Sequence, residues 1–558
     1  MKRRTFLRDT LLTSTGIAFI PSMVRGETNL FGLNAENQLA AAVNAAAPGQ
    51  KFEHFWSKCV GAGRANEGLR ASWLEQMKLS KDLCGFQYCR FHGLFHSDMF
   101  VYREVNGKPA YNWQYVDDLF DRMLAIGVKP FVELAFMPKD LASDETSLQF
   151  WWKAHSSPPK DYAKWGELVS EFTKHCIARY GLPEVKTWYF EVWNEPNLKA
   201  FWNGTKSQYF ELYKTSALAI KTIDKSLRVG GPATSNFVPD DRFDGEVEDK
   251  TKHKTHTVKD LNTLEWRGVW IKDFINYCSK ENLPLDFIST HPYPTDWALD
   301  PGTQKGGQGV RKIDATKEDL TWLKNTIVQS PYPKAEIHLT EWSSSPSARD
   351  PAHDSLQAAA FIVKTNLDSI GIVDSLAYWT FTDVFEEGGA GNSIFHGGFG
   401  LINYQGIVKP SFHAYRMLNA LGDEILQRED GLIVTRNSKT NKISAIVYNY
   451  PQEMKNTIGG KSVETELNTG SPKKVSLSLR GLKSSAGVTS EALTRESGFA
   501  YPLWKKMGSP EPPSREQTKQ LKQTAMNLKQ EKLKADTKGN LKWEKSLEPW
   551  TCVLIREV

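Results

Sequence analysis

The chain has 558 residues, 40% apolar and 24% charged. These proportions argue against a disordered chain or an integral membrane protein, and the length is too great for one ordinary core. The formal net charge is +5, but Lys2, Arg3, Arg4, Arg8 and Arg25 against Asp9 place four of those five charges within residues 1–26. The rest of the chain is close to neutral, which removes any bulk attraction to nucleic acid or anionic lipid and suits a neutral partner.

Residues 1–26 have the layout of an export signal. The pair Arg3-Arg4 leads into Thr5-Phe6-Leu7, then an apolar run over residues 11–23, then a small-residue exit at Val24-Arg25-Gly26. Thr13, Ser14, Thr15, Gly16 and Pro21 interrupt that run, so it is too short and weak to remain as a membrane span. A twin-arginine-type signal is therefore expected, with the mature chain in the periplasm or outside the cell. Residues 27–53 form an N-terminal segment that can lend a strand to a distal sheet. The cysteines (Cys59, Cys84, Cys89, Cys176, Cys278 and Cys552) show no zinc or redox spacing and are expected as free buried thiols. No metal site and no cofactor are expected.

Between residues 54 and 416, short apolar runs alternate with longer helical patterns, the signature of βαβ units and a parallel sheet. The runs cover residues 55–60, 85–91, 129–135, 187–193, 227–231, 286–290, 336–340 and 375–381. Eight such units predict an α/β fold, a (β/α)8 barrel. Helical patterns lie between the runs. That over residues 117–126 places Leu119, Met123 and Ile126 on one side and stops at Gly127; another, over residues 165–180, ends at Gly181. The barrel is longer than the usual ~250 residues, so its loops carry insertions; one, residues 239–259, is rich in Asp, Glu, Lys and His. From residue 417 to 558 the texture becomes all-β. Strands are predicted over 431–436, 442–450, 475–479 and 553–555, with a lysine-rich helical insert over 515–534. This part is expected as a C-terminal β-sandwich.

Barrels of this kind keep their chemistry at the carboxyl ends of the strands. After the fourth run comes Trp193-Asn194-Glu195-Pro196-Asn197, and after the seventh Thr340-Glu341-Trp342-Ser343. Each is an acid at a strand exit, and the two strands face one another across the mouth. Cleavage of a glycosidic bond needs two such acids, one protonated near neutral pH and one ionised. Trp193 and Trp342 are expected to supply apolar walls. Glu191 and Glu336 are rivals, but they lie within or at the start of their strands, in the barrel body or near its base. A lone glutamate at a loop start is more often a surface charge; two in matching positions favour Glu195 and Glu341 as the catalytic pair.

The run Phe190-Glu191-Val192-Trp193-Asn194-Glu195-Pro196-Asn197 resembles the acid/base motif of glycoside hydrolase clan A. With Arg90-Phe91-His92-Gly93-Leu94, Thr290-His291-Pro292-Tyr293, Leu339-Thr340-Glu341-Trp342 and the stretch from Tyr378 to Glu387, the chain resembles glycoside hydrolase family 39, which holds β-xylosidases and α-L-iduronidases. The likeness continues into Lys505-Lys506-Met507-Gly508-Ser509-Pro510. It implies a retaining double displacement, with Glu195 as acid/base and Glu341 as nucleophile. It also implies that Asn194 bonds the sugar 2-hydroxyl and that Arg90 lies beneath the nucleophile. His92, His291, Tyr293, Trp379 and Glu386 would line the first sugar subsite; on spacing alone Glu387 fits as well as Glu386. His253 and His256 read as part of a solvated loop.

The expected activity is that of an exo-acting β-xylosidase on plant-type oligosaccharides. Arabinose, galactose, glucose or iduronate units are the alternatives, and iduronate would want a cationic subsite for which no arginine beyond Arg90 stands in these motifs. A non-catalytic sugar-binding barrel is the other class, opposed by the intact pair and Asn194. The expected partner is a small oligosaccharide; a homo-oligomer is compatible with the sequence, which leaves the assembly open.

Overall fold

In the computed structural model, which describes residues 37–252, 263–299, 306–451 and 463–558, the eight strands are β1 (Cys59–Arg64), β2 (Tyr88–His92), β3 (Lys129–Leu134), β4 (Tyr189–Val192), β5 (Arg228–Ser235), β6 (Phe287–His291), β7 (Glu336–Trp342) and β8 (Ser375–Tyr378). They close into a parallel barrel in chain order, with Tyr378 of β8 paired to Val60 of β1. A principal helix follows each strand: α1 (Ala71–Cys84), α2 (Gln114–Ile126), α3 (Tyr162–Tyr180), α4 (Lys206–Ile223), α5 (Ile271–Lys280), α6 (Ala315–Val328), α7 (Leu356–Asp368) and α8 (Pro410–Asn419). The fold is the expected (β/α)8 barrel. The export segment 1–26, His253 and His256 lie outside the described residues.

The helices form where the apolar positions recur along one side. In α2, Val116, Leu119, Phe120 and Met123 are buried, and Gly127 at φ +86° takes the left-handed turn that ends it. The side chain of Asp161 accepts from the amides of Ala163 and Lys164 and so starts α3.

The first strand differs from its expectation over residues 55–60. Phe55–Ser57 is a single helical turn, and the strand runs on through Gly61, Ala62 and Gly63. Small residues hold the strand there because the barrel interior is crowded: a Cβ at Gly61 would lie 2.5 Å from the Trp379 ring.

Side chains inside the barrel lie in layers, because inward positions recur every second residue along a strand. The floor is apolar: Cys59, Tyr88, Phe131, Tyr189, Phe287 and Ala377 form one buried cluster. Phe131 stacks on Tyr189 at 4.8 Å between ring centres, and the His338 ring meets both and Phe287. Two residues further along the same strands the lining turns polar, with Arg90, Glu133, Glu191 and Ser289 all buried.

The C-terminal part is a sandwich of two sheets. Its strands are β9 (Glu424–Glu429), β10 (Leu432–Arg436), β11 (Ile443–Tyr448), β12 (Lys473–Arg480), β13 (Gly487–Leu493), β14 (Lys529–Lys534), β15 (Leu541–Leu547) and β16 (Cys552–Glu557). The N-terminal segment joins both sheets. Gln38–Asn44 runs parallel to β12, and Gln50–Lys51 pairs with β9. Leu39, Val43, Val434, Leu477, Trp543 and Ile555 meet in the core between the sheets. The helix expected over 515–534 stops at Met526, and 529–534 is instead the edge strand β14. Its lysines are exposed charge on a sheet edge, a placement that blocks pairing with other chains, and not the polar face of a helix. All six cysteines are buried free thiols. Among the described residues no helix is long and apolar enough to cross a membrane.

The floor carries the polar layer above it, so its loss should be felt throughout the barrel. Phe131→Ala is expected to cost about 3–5 kcal/mol, seen as a lower thermal midpoint in circular dichroism; an unchanged midpoint would show that this layer does not hold the barrel together.

Candidate active site

Above the floor, the guanidinium of Arg90 donates to three acceptors, Nε to Glu191 at 2.7 Å, Nη1 to Glu341 at 2.5 Å and Nη2 to the Asn194 side-chain oxygen at 2.8 Å, and Nη2 is ion-paired with Glu133 at 2.8 Å. Three carboxylates and an amide oxygen thus surround one cation with no exposed surface. Burial opposes its charge, but the carboxylates outweigh that and raise its pKa further.

Glu341 reaches the cavity through an irregularity in β7. An extra residue between Leu339 and Trp342 shifts the pairing with β8, so consecutive residues Thr340 and Glu341 both bond to groups inside the barrel. The other oxygen of Glu341 accepts from the Tyr293 hydroxyl at 3.2 Å. Glu195 arrives by a different device. Trp193 and Glu195 adopt left-handed backbone at φ +73° and +46°, which turns the chain sharply at the end of β4 and costs of order 1–3 kcal/mol per residue. The Glu195 amide then donates to the Ala233 carbonyl at 2.9 Å.

The two acids converge. One side-chain donor or acceptor atom each of Glu195, His291 and Glu341 lies within 4.8 Å of the other two. Retaining glycosidases place their carboxyls ~5–5.5 Å apart, whereas inverting enzymes need about 6.5–9.5 Å to admit a water. The observed approach fits the former. Burial pushes the Glu195 carboxyl up to about 7, so it can hold a proton near neutrality.

His291 donates or accepts at both nitrogens, 2.9 Å from Glu195 and 2.9 Å from the Thr340 hydroxyl, and burial lowers its pKa to about 4. His92 behaves oppositely. Burial works against its charge, but Glu133 at 2.7 Å, with Glu387 and Glu341, raises it to about 10. The ring of Trp379 lies 4.7 Å from His92, and Phe136 and Phe150 flank it at 5.8 Å each.

Arg90, His92, Asn194, Glu195, His291, Tyr293, Glu341 and Trp379 are therefore brought together, and three expectations need correction. Glu386 is turned away: Arg70 and Arg64 donate to it at 2.7 and 3.3 Å, and its amide donates to Glu67. Glu387 takes the place beside His92, at 3.4 Å. Trp193 and Trp342 do not wall the cavity. Trp193 packs on Trp165 and Trp202, and Trp342 on Phe361 of α7 and Tyr378, because the left-handed turn at Trp193 and the extra residue in β7 break the alternation that would have pointed them inward. The rivals sit where their strand positions put them. Glu191 is buried beneath the pair, and Glu336 lies at the barrel base with Lys58 and Tyr189.

Sequence reasoning passed over Glu133 and Thr340, whose signal was a polar residue at an inward position of an otherwise apolar strand. It also passed over Phe150 and Trp151, on the hairpin formed by Leu148–Gln149 and Ala154–His155. Trp151 is 64% exposed, and its amide donates to the Glu387 carbonyl at 2.8 Å.

The profile of the family described as glycosyl hydrolases family 39 matches residues 39–257 and 265–542. A β-xylosidase of Geobacillus stearothermophilus is 38% identical over 84% of this chain and 85% of its own length. One from Caldicellulosiruptor saccharolyticus is 38% identical over 87% of this chain and 90% of its own. The solved structure of a monomeric β-xylosidase from Caulobacter crescentus CB15 superposes with a TM-score of 0.80 at 30% identity, over 93% of this chain and 99% of that one. Paired carboxylates at the mouth of such a barrel are what this family would require, and the chain belongs to it: glycosyl hydrolase family 39.

Proposed function

We propose that this glycoside hydrolase is an exo-acting β-xylosidase working with retention of configuration, and that the approach of Glu195 to Glu341 carries that reading. Glu195 donates its proton to the glycosidic oxygen as the carboxylate of Glu341 attacks the anomeric carbon; the C–O bond to the leaving sugar breaks and an ester bond to Glu341 forms. Water then attacks the same carbon, Glu195 takes its proton, and the ester is released. Arg90 and Tyr293 hold Glu341 for attack. Arg90 also occupies the amide oxygen of Asn194, so the NH2 is the group left to donate to the sugar 2-hydroxyl.

Exo action is supported by enclosure. The side chains of Glu195 and Glu341 are 8% and 7% exposed, which suits a terminal sugar in a pocket better than a chain lying in a groove. A neutral sugar is supported by the pairing of the nearby cations: Arg90 is occupied by Glu133, Glu191 and Glu341, and Arg64 by Asp98 and Glu386. The β-xylosidase relatives favour xylose among neutral sugars. Export rests on Arg3, Arg4 and the short apolar run that follows them.

On nitrophenyl β-xyloside, Glu341→Ala should lose roughly 10⁴-fold or more in kcat; retention of activity would remove Glu341 from the mechanism, and faster turnover of the arabinoside, galactoside or glucoside would reassign the sugar. Glu195→Ala should lose about 10²–10⁴-fold and recover with azide as a β-xylosyl azide product, while the wild-type rate should fall as pH rises through about 7, where the acid loses its proton. An α-configured azide product would instead indicate inversion. With Arg3→Lys and Arg4→Lys together, activity should stay in the cytoplasmic fraction; undiminished export would end the twin-arginine reading.

A further inference from the structure

Below the catalytic pair runs a chain of buried hydrogen bonds whose proton count can be worked out. The Thr340 hydroxyl lies 2.7 Å from Glu191 Oε1 and 2.9 Å from His291 Nε2, and it has one proton to give. Burial works against charge on Glu191, but Arg90, which donates to it at 2.7 Å, leads the groups that bring its pKa below the usual range. As a carboxylate, Glu191 can only accept, so the Thr340 proton is directed to it. The Thr340 oxygen must then accept from His291, which puts a hydrogen on Nε2. Burial keeps this imidazole neutral at ordinary pH, so Nδ1 carries a lone pair. That lone pair lies 2.9 Å from Glu195 Oε1, and the hydrogen between them has to come from the Glu195 carboxyl.

We propose that Glu191 and Thr340 lock His291 into the Nε2–H tautomer, and that His291 thereby acts as a positioning residue that holds the proton on Glu195. The inference rests on Glu195 being the acid/base. In the opposite tautomer, Nδ1–H would donate to the Glu195 carboxylate and make it a weaker base. In the locked one, an ionised Glu195 faces a lone pair. The acid therefore stays loaded until a glycosidic oxygen competes for its proton. The carboxylate left after that transfer is basic enough to take a proton from water in the second step.

The other groups acting on Glu195 are Arg90 and His92, which favour its charged form, the Ser235 hydroxyl, which does the same, and Glu341, whose oxygen lies close by. Tyr293 and Glu387 stand around the same pair. Glu341 also faces His291 Nδ1, but at 3.8 Å it is beyond hydrogen-bond reach, and none of these groups sets the tautomer. That role falls to Thr340, whose oxygen is the partner of Nε2.

The test is Thr340→Val, which keeps the shape and removes the hydroxyl, with Thr340→Ser restoring it. In the valine variant the alkaline limb of kcat/KM should move down by about one pH unit, and the serine variant should keep the wild-type limb. The valine defect should be at least tenfold greater on phenyl xyloside than on dinitrophenyl xyloside, whose leaving group needs no proton. Nitrogen NMR of the His291 ring reads the tautomer without turnover, and should show Nε2–H in the wild type and Nδ1–H in the valine variant. An Nδ1–H wild type, or a valine variant with the wild-type limb, overturns the lock. Failure of azide to rescue Glu195→Ala would instead overturn the acid/base reading and leave the NMR result standing.

Discussion

Arg90 donates to Glu191, Asn194 and Glu341 and is ion-paired with Glu133, so one buried cation ties β2 to β3, β4 and β7 across the barrel interior. Such a cluster is expensive to bury, and it persists only because nearly every donor and acceptor finds a partner; removing a single member of a buried pair commonly costs ~3–5 kcal/mol. The aromatic floor beneath explains how the cluster keeps its geometry. Phe131, Tyr189, Phe287 and His338 fill the barrel below it, so the charged layer is confined from beneath as well as from its sides. Positioning of the two converging carboxyls here begins in the layer beneath them, two residues above the aromatic floor.

From that layer follows the difference between two chemically identical side chains. Glu341 meets a guanidinium and a phenol, whereas Glu195 meets a buried neutral imidazole. Burial favours the protonated form of a carboxyl, and that effect dominates at Glu195. The histidines show the same logic. His92 is bonded to Glu133 and is held charged, whereas burial keeps His291 neutral. Neither outcome follows from the residue type, and both follow from the surroundings of the ring.

The alternation of apolar runs and helical patterns was enough to read eight strands, the barrel and the two strand-exit acids. It failed where a local irregularity broke the rule of two. At Trp342 the extra residue in β7 changed which neighbours face inward, and at Trp193 a left-handed turn did so, so both tryptophans were expected in the cavity and lie outside it. Glu386 against Glu387 was undecidable on spacing, because the choice depends on Arg64 and Arg70, which arrive from a segment more than 300 residues earlier. Lysine-rich 529–534 was read as helix because composition does not distinguish an exposed helical face from an exposed sheet edge.

Among the described residues the sandwich supplies none of the groups around Glu195 and Glu341, yet it is coupled to them mechanically. The loop that leaves β8 carries Trp379 and Glu387 and then meets the C-terminal part. There Phe395 packs on Tyr501 and Trp504 at 5.6 and 5.3 Å, and Glu511 accepts from the Ser393 hydroxyl and the Ile394 amide. A second brace joins α8 to the same part, where His413 bonds the Ala525 carbonyl and Arg416 pairs with Glu491. The described chain also begins in the sandwich, at Gln38–Asn44, before it enters the barrel. A long loop over a barrel mouth loses conformational freedom when it is ordered, and that cost is offset only if the loop is anchored at points away from its ends. Phe395, Ser393 and Ile394 are such anchors, which gives the accessory domain a physical reason to accompany a barrel whose chemistry is otherwise self-contained.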